Sequence, residues 1–184
     1  MNVEQMVAAA SRLSRKARYT VDISTPINSV KDQRHQSIML NCHTASFPGT
    51  TLGVNEQTYF GLAFTYPVDW KYTALDLDFY LDVDFSEKKY FESWLASIYN
   101  INTGRYGFKD DYVRDVTITS LDVQNKPRYR VRLTEAYPVN IGQVSVGYDA
   151  KNAFATLSAT IQFTRMYQEE QQTFTTPRTT RRDQ

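Results

Sequence analysis

The chain has 184 residues, of which 22% are charged and 14% aromatic, and its formal net charge is +1. That length supports one domain with a core of its own, and the near-zero charge announces neither nucleic acid nor an anionic membrane as a partner. The single cysteine, Cys42, excludes an intrachain disulfide and fits a reducing compartment, and no apolar run reaches the ~18 residues of a membrane span.

The segment 1–10 is too acidic and too weakly apolar for a secretory signal, so the expected setting is soluble and cytosolic at synthesis. Val3, Met6, Val7, Ala10 and Leu13 fall near helical spacing and predict a short helix over residues 3–16. Arg12, Arg15, Lys16 and Arg18 gather at its C-terminal end, where cations favour the helix dipole. A strand is predicted over residues 19–23, a polar loop with Pro26 over 25–36, and a second strand over 37–44. Phe47-Pro48-Gly49 then opens a loop to about residue 56. Residues 57–68 read as an aromatic strand or hairpin arm, interrupted by Gly61 and ended by Pro67.

Residues 73–85 alternate more strictly than any other stretch. Leu75, Leu77, Phe79, Leu81, Val83 and Phe85 share one parity, and Asp76, Asp78, Asp82 and Asp84 hold the other with Tyr80 among them. Period two predicts one long strand with an apolar face and a carboxylate face. Ser86 is the expected N-cap of a following helix, with Glu87 in its first turn. Phe91, Trp94, Leu95 and Ile98 form one apolar stripe that packs the helix on a sheet. A loop with two glycines covers 102–107. Strands follow over 113–122, 128–135, 143–148 and 154–165, with a Pro138-containing connection over 137–142. From residue 168 the chain is rich in Gln, Thr and Arg, and a flexible tail is expected over 168–184. Many strands, one main helix and no βαβ alternation predict a mainly β fold. It is an antiparallel β-sandwich or barrel with one flanking α-helix and a short N-terminal helix.

Residues for chemistry are sparse. Cys42 and His43 are adjacent on a predicted strand, so their side chains diverge and make no nucleophile–base pair. His35 and His43 are the only histidines and sit in no ligand cluster. No P-loop and no dinucleotide fingerprint occurs. The aspartates at strand spacing are not arranged to wrap a cation, so no metal, cofactor or catalytic residue is expected. The basic residues 12–18 and Arg178, Arg181 and Arg182 lack aromatic platforms for nucleic acid. Contact with another protein subunit suits them better. Tyr59, Phe60, Phe64, Tyr66 and Trp70 crowd an extended segment, which is what protein interfaces favour.

Several short motifs, in order, resemble a known family. The run Ala136-Tyr137-Pro138-Val139-Asn140-Ile141-Gly142, followed by residues 144–149 and 152–167, resembles the final meander of the tail tube proteins of contractile-tailed phages (myophages). The acidic-faced strand leading into Ser86-Glu87 and the helix through Phe91-Glu92-Ser93-Trp94 is similar too. So are the entry through Ala17-Arg18 into Tyr19-Thr20-Val21-Asp22-Ile23-Ser24 and the Phe47-Pro48-Gly49 loop. The resemblance spans residues 3–167 and departs from the family in the polar extension beyond Tyr167.

The resemblance implies a structural virion protein with one tail-tube-like β domain over 1–167, an N-terminal helix or arm over 1–17, and a C-terminal tail. It implies hexameric rings stacked into the inner tube of a contractile tail, a conduit for DNA ejection. Sheath, tape measure and baseplate proteins would be its partners, DNA would pass without specific binding, and no membrane or enzyme activity is involved. Assembly would take place in the host cytoplasm. A baseplate-proximal tube initiator of the same fold is the alternative, which the link over residues 99–111 suits. A type VI secretion-like tube and a small-molecule-binding β-barrel stand further off. Asp76, Asp78, Asp82 and Asp84 are the candidate channel-facing residues. Val3, Met6, Val7, Tyr59, Phe60, Phe64, Tyr66 and Trp70 are the candidate ring–ring contacts.

Overall fold

Alternating apolar and polar residues send side chains to opposite faces of a strand, and this pattern builds most of the molecule. The computed structural model describes residues 18–24, 38–147 and 154–169. The expected helix over 3–16 lies outside them, as does the chain beyond residue 169. Within them run β1 (Tyr19–Ile23), β2 (Cys42–Ala45), β3 (Thr50–Tyr59), β4 (Leu62–Tyr72) and β5 (Leu75–Tyr80). Helix α1 (Ser86–Ile98), β6 (Tyr99–Asn100), β7 (Arg105–Tyr106) and the short helix α2 (Lys109–Tyr112) follow, then β8 (Arg114–Leu121), β9 (Pro127–Ile141), β10 (Thr156–Gln162) and β11 (Arg165–Glu169).

Seven strands form one antiparallel sheet in the order β1-β8-β9-β10-β5-β2, with β11 also beside β9. The long strand β9 is the hinge of this arrangement. Its residues 130–134 lie between β8 and β11, and its residues 137–141 pair with β10. At the joint, Arg114 of β8 faces Ala136 while Val116 faces Leu133, so β9 carries one extra residue. Glu135, with φ 54°, occupies this bulge. A bulge shifts side-chain parity and sharpens the twist. Here the buried positions move from Val131 and Leu133 to Ala136 and Pro138. The sheet thereby folds into two layers that share a core: β1, β8, the first part of β9 and β11 in one, the rest of β9 with β10, β5 and β2 in the other.

The inner faces are apolar as alternation requires. Ile23, Val116, Ile118 and Leu133 of the first layer are fully buried, as are Leu75, Leu77, Phe79, Leu157 and Ile161 of the second. Among the described residues the sheet does not close on itself, because β1 and β2 end its path without pairing. The Tyr19 hydroxyl donates to the Cys42 carbonyl between them at 3.1 Å. Of the two expected architectures, the molecule is the sandwich. Helix α1 flanks it with Phe91 and Trp94 buried, Phe91 meeting Phe79 at 5.1 Å between ring centroids, and Trp94 Nε1 donating to the Tyr112 carbonyl at 2.6 Å.

Several sequence expectations are corrected. The acidic strand does not run to residue 85 but ends at Tyr80. Asp82 turns the chain by accepting the Val83 N–H on its own side chain at 2.7 Å and the Phe85 N–H on its carbonyl at 3.0 Å; short polar side chains compete with a ladder in this way. Ser86 does not cap α1, since Phe85 precedes the helix at φ 54° and no side chain caps it. Residues 38–40 are a helical turn rather than strand, and 143–147 form no ladder. Pro138 lies within β9, not in a connection. It faces Ile161 at a register shift, a place where its missing N–H breaks no regular ladder. The loop placed before residue 56 is strand β3, and Gly61 marks a turn between two arms of a hairpin. At the C-terminal side, β11 extends to Glu169.

Candidate assembly interface

The most exposed apolar surface of the described residues is the β3–β4 hairpin. Its ten paired positions run from Thr50 opposite Tyr72 to Tyr59 opposite Leu62, an extension of about 33 Å at ~3.3 Å per residue. At its base, Tyr72 meets Phe163 at 5.5 Å, and Gly49 and Thr73 exchange hydrogen bonds. Beyond the base, β3 and β4 pack on each other and make no extended contact with another element. An isolated two-stranded hairpin is marginal in water, and this one carries Val54, Phe64, Tyr66, Val68 and Trp70 exposed.

The register divides those side chains between two faces. Cross-strand partners share a face, so Leu52 with Trp70 and Val54 with Pro67 lie on one side, together with Glu56. Tyr59 with Leu62, Gln57 with Phe64, and Asn55 with Tyr66 lie on the other. The exchange of apolar faces comes from the extra residue Val68, between the Gly53–Asp69 and Val54–Pro67 pairs. Polar neighbours hold the tip aromatics, Asn55 Nδ2 donating to the Tyr66 hydroxyl at 3.2 Å. At the tip, Phe60 (φ 50°) and Gly61 (φ 80°) both occupy the left-handed region, the geometry of a two-residue hairpin turn. A phenylalanine in that conformation is strained, yet its side chain is fully exposed.

Of the expected ring–ring residues, Tyr59, Phe60, Phe64, Tyr66 and Trp70 come together on this arm. Val3, Met6 and Val7 lie outside the described residues. The arm adds Leu62, within the expected arm segment, and Leu52 and Val54, which the expected loop had hidden; alternation of Leu52 with Val54 was the available signal.

The four aspartates do not share a face. Asp76 and Asp78 point outward from β5, where Thr160 Oγ1 donates to Asp76 Oδ1 at 2.8 Å, while Asp82 and Asp84 stand in the turn before α1. The layer that holds Asp76 and Asp78 is free of fixed cations: β2, β5, β10 and residues 136–141 of β9 contain no lysine or arginine. The other layer carries Arg114, Arg128, Arg130, Arg132 and Arg165. Three of these are fastened to acids, Arg128 to Asp122 at 2.7 Å, Arg132 to Asp115 at 2.5 Å and Arg130 to Glu169 at 3.5 Å. His43 and Cys42 diverge: His43 Nδ1 lies 2.9 Å from the Asp78 carbonyl, and the Cys42 thiol donates to the Thr44 carbonyl at 3.4 Å. Burial pushes that thiol up to about 11. Among the described residues no group of three or more His, Cys, Asp or Glu gathers as a metal site.

The described residues thus form a two-layer sandwich with a flanking helix and a projecting apolar arm. Residues 14–169 match the sequence model of the family described as phage tail tube protein. The chain belongs to the phage tail tube protein family. The tail tube protein of Serratia phage KSP90 is 24% identical over 165 residues, covering 88% of this chain and 93% of that protein. A chain of the anti-feeding prophage baseplate superposes with a TM-score of 0.64 at 14% identity, covering 85% of this chain and 95% of its own. A chain of the sheath–tube complex of the extracellular contractile injection system PVC, in its extended state, gives 0.61 at 14% identity, covering 92% and 98%. These likenesses show a shared fold. The tail tube protein is a structural component of the phage tail.

Proposed function

We propose that this tail tube protein closes into hexameric rings that stack into the inner tube of a contractile tail, the conduit through which DNA leaves the capsid. The observation that carries this is the β3–β4 arm, a two-stranded apolar projection that a neighbouring copy must cover. Ring closure draws on the second layer. Its edges are β2 and residues 137–141 of β9, and neither carries a further strand among the described residues. Free edges invite pairing between copies, and closure into a ring removes them. Residues 143–147 alternate in sequence without pairing among the described residues and lengthen the β9 edge.

The same layer is the channel lining we favour. A strongly anionic polymer adheres to arginine and not to hydroxyls and carboxylates, so the cation-free face with Asp76, Asp78 and Thr160 lets DNA slide. Asp82 and Asp84 stand apart from it and line the bore only if the α1 turn does. The residues 1–16 serve ring stacking alongside the arm; deleting them leaves folded subunits that stack poorly. Sheath, tape measure and baseplate proteins are the partners, DNA passes without specific binding, assembly takes place in the host cytoplasm, and no catalytic step is assigned.

Negative-stain electron microscopy with light scattering on the purified protein tests this. Sixfold rings or hollow tubes are the expected result; a persistent monomer at high concentration, even with purified baseplate added, would overturn it. A baseplate-proximal initiator is the second reading, favoured by the β6–β7–α2 link over residues 99–112. It predicts rings or short stacks of fixed length where the repeated subunit gives tubes of indefinite length.

A further inference from the structure

Leu62, Phe64, Tyr66, Val68, Trp70 and Tyr72 of β4 share one parity in the sequence, and a regular strand would set all of them on one face. The bulge at Val68 prevents this. It splits the apolar surface of the arm into two patches, on opposite faces and at different heights.

The base patch is Leu52 with Trp70 and Val54 with Pro67. Behind it, on the other face, stand Thr51 with Lys71 and Gly53 with Asp69, and Lys71 pairs with Asp69 at 3.5 Å. Toward the tip the faces change over. Tyr59, Leu62, Phe64 and Tyr66 form the tip patch, and behind it stand Glu56 with Thr65 and Thr58 with Ala63. Each half of the arm therefore has one side of large apolar groups and one side that is polar or small.

A single surface laid along one side of the arm would cover one patch together with polar groups of the other half. Those groups are Glu56, Thr58 and Thr65 on one side, and Lys71 and Asp69 on the other. Polar groups covered without partners cost free energy, so neither one-sided contact suits the arm. A single body reaches both patches only by crossing the path of the arm. Area points the same way. At the exposures of these side chains, each patch offers on the order of 400 Å² of apolar surface, about half of the ~800 Å² that each partner brings to a stable interface. Two bodies, one on each side, cover both patches and leave the polar backs in water.

We infer that the arm passes between two other copies of this chain, one packed on the Leu52–Trp70 patch near the base and the other on the Phe64–Tyr66 patch near the tip. This rests on the tube-subunit reading, in which the neighbours of the arm are copies of this chain, and makes each arm a tie between two of them.

The test places the photo-crosslinker benzoylphenylalanine at Leu52, at Phe64, or at both, and assembles each labelled chain with a large excess of wild-type chain. After illumination of tubes, each single label is expected to give a two-chain band, and the doubly labelled chain a three-chain band, none of them seen with dilute subunits. Trp70→Ser and Phe64→Ser are each expected to lower tube yield about tenfold or more, the effect of losing one buried aromatic anchor. Both positions are exposed in the subunit, and circular dichroism confirms that the variants fold. Tubes whose doubly labelled chain gives two-chain bands alone, or a single label that joins no second chain, overturn the two-copy tie while the tube assignment stands. Normal yield from either serine variant does the same. A wild-type chain that gives neither rings nor tubes overturns the assignment and this tie with it.

Discussion

The side-chain amide of Asn41 donates to Glu87 Oε1 at 2.7 Å, while Glu87 Oε2 accepts the Asp82 N–H at 3.1 Å. One carboxyl group, 1% exposed, thus ties the entry to β2, the turn after β5 and the first turn of α1 together. Removing it takes the acceptor from two part-buried donors, a loss of about 1–2 kcal/mol each because water replaces part of each bond. Glu87→Ala is expected to destabilise the subunit by about 2–4 kcal/mol in urea unfolding. Glu87→Gln keeps one acceptor and should cost about half as much. Equal stability of Glu87→Ala and wild type would show the linkage to be ornamental.

Phe60 sets local strain against assembly. Relieving its φ of 50° by Phe60→Gly is expected to leave the isolated subunit as stable as wild type, or up to about 1 kcal/mol more so. Tube yield should nevertheless fall, because the exposed ring is lost. At Gly61, φ is 80° and a Cβ would meet nothing within 4 Å, so Gly61→Ala costs about 1 kcal/mol from backbone strain alone. Thermal melts of the subunit, read beside pelleting assays of tubes, separate the two effects.

Cys42 should be a slow thiol. Burial raises it from 9.0 to about 11 and raises the Tyr19 hydroxyl from 10.0 to about 12. At pH 8 the thiolate fraction falls about a hundredfold against an ordinary cysteine, and iodoacetamide labelling of the folded subunit should slow to match. The stability consequence has a definite sign. The folded state keeps these protons after the unfolded state has lost them, so stability falls as pH rises, from about 9 to 11 for the thiol and from about 10 to 12 for the hydroxyl, and is unaffected by these groups below 9. Cys42→Ser should flatten the thiol's share of that alkaline decline. A melting curve with the same slope across this window in both proteins would contradict it.

Asp76→Lys with Asp78→Lys converts the cation-free layer into one that holds DNA. Both side chains point out of the sheet, so the subunit should fold and tubes should form. Phage carrying the variant are expected to adsorb normally and deliver DNA less efficiently. Intact tubes with unchanged delivery would remove these residues from the channel.

Legibility followed local physics. The strand at Tyr19–Ile23 and the stripe of Phe91 and Trp94 on α1 were readable because one face of each is buried within the chain. The alternation at Leu75–Tyr80 was readable for the same reason, but it overran at Asp82, where turn chemistry overrides a pattern that continues on paper. β9 was cut short at residue 135 because Pro138 reads as a breaker; only the register with β10 shows how it is accommodated. The first strand of the arm was missed because Leu52 and Val54 are the one alternating apolar pair in residues 50–56, too short a signal beside Gly49 and Gly53 to mark a strand.

The passage of β9 through both layers bears on how the subunit takes mechanical load. Two sheets joined only by loops can slide over one another by shearing side-chain contacts. Here β9 and its antiparallel companions β10 and β11 cross from one layer to the other together, so sliding would have to tear a ladder of backbone hydrogen bonds or stretch the chain itself. In the tube proposed above, a subunit built this way would transmit an axial shock as a stiff block and leave the contacts between copies to yield first.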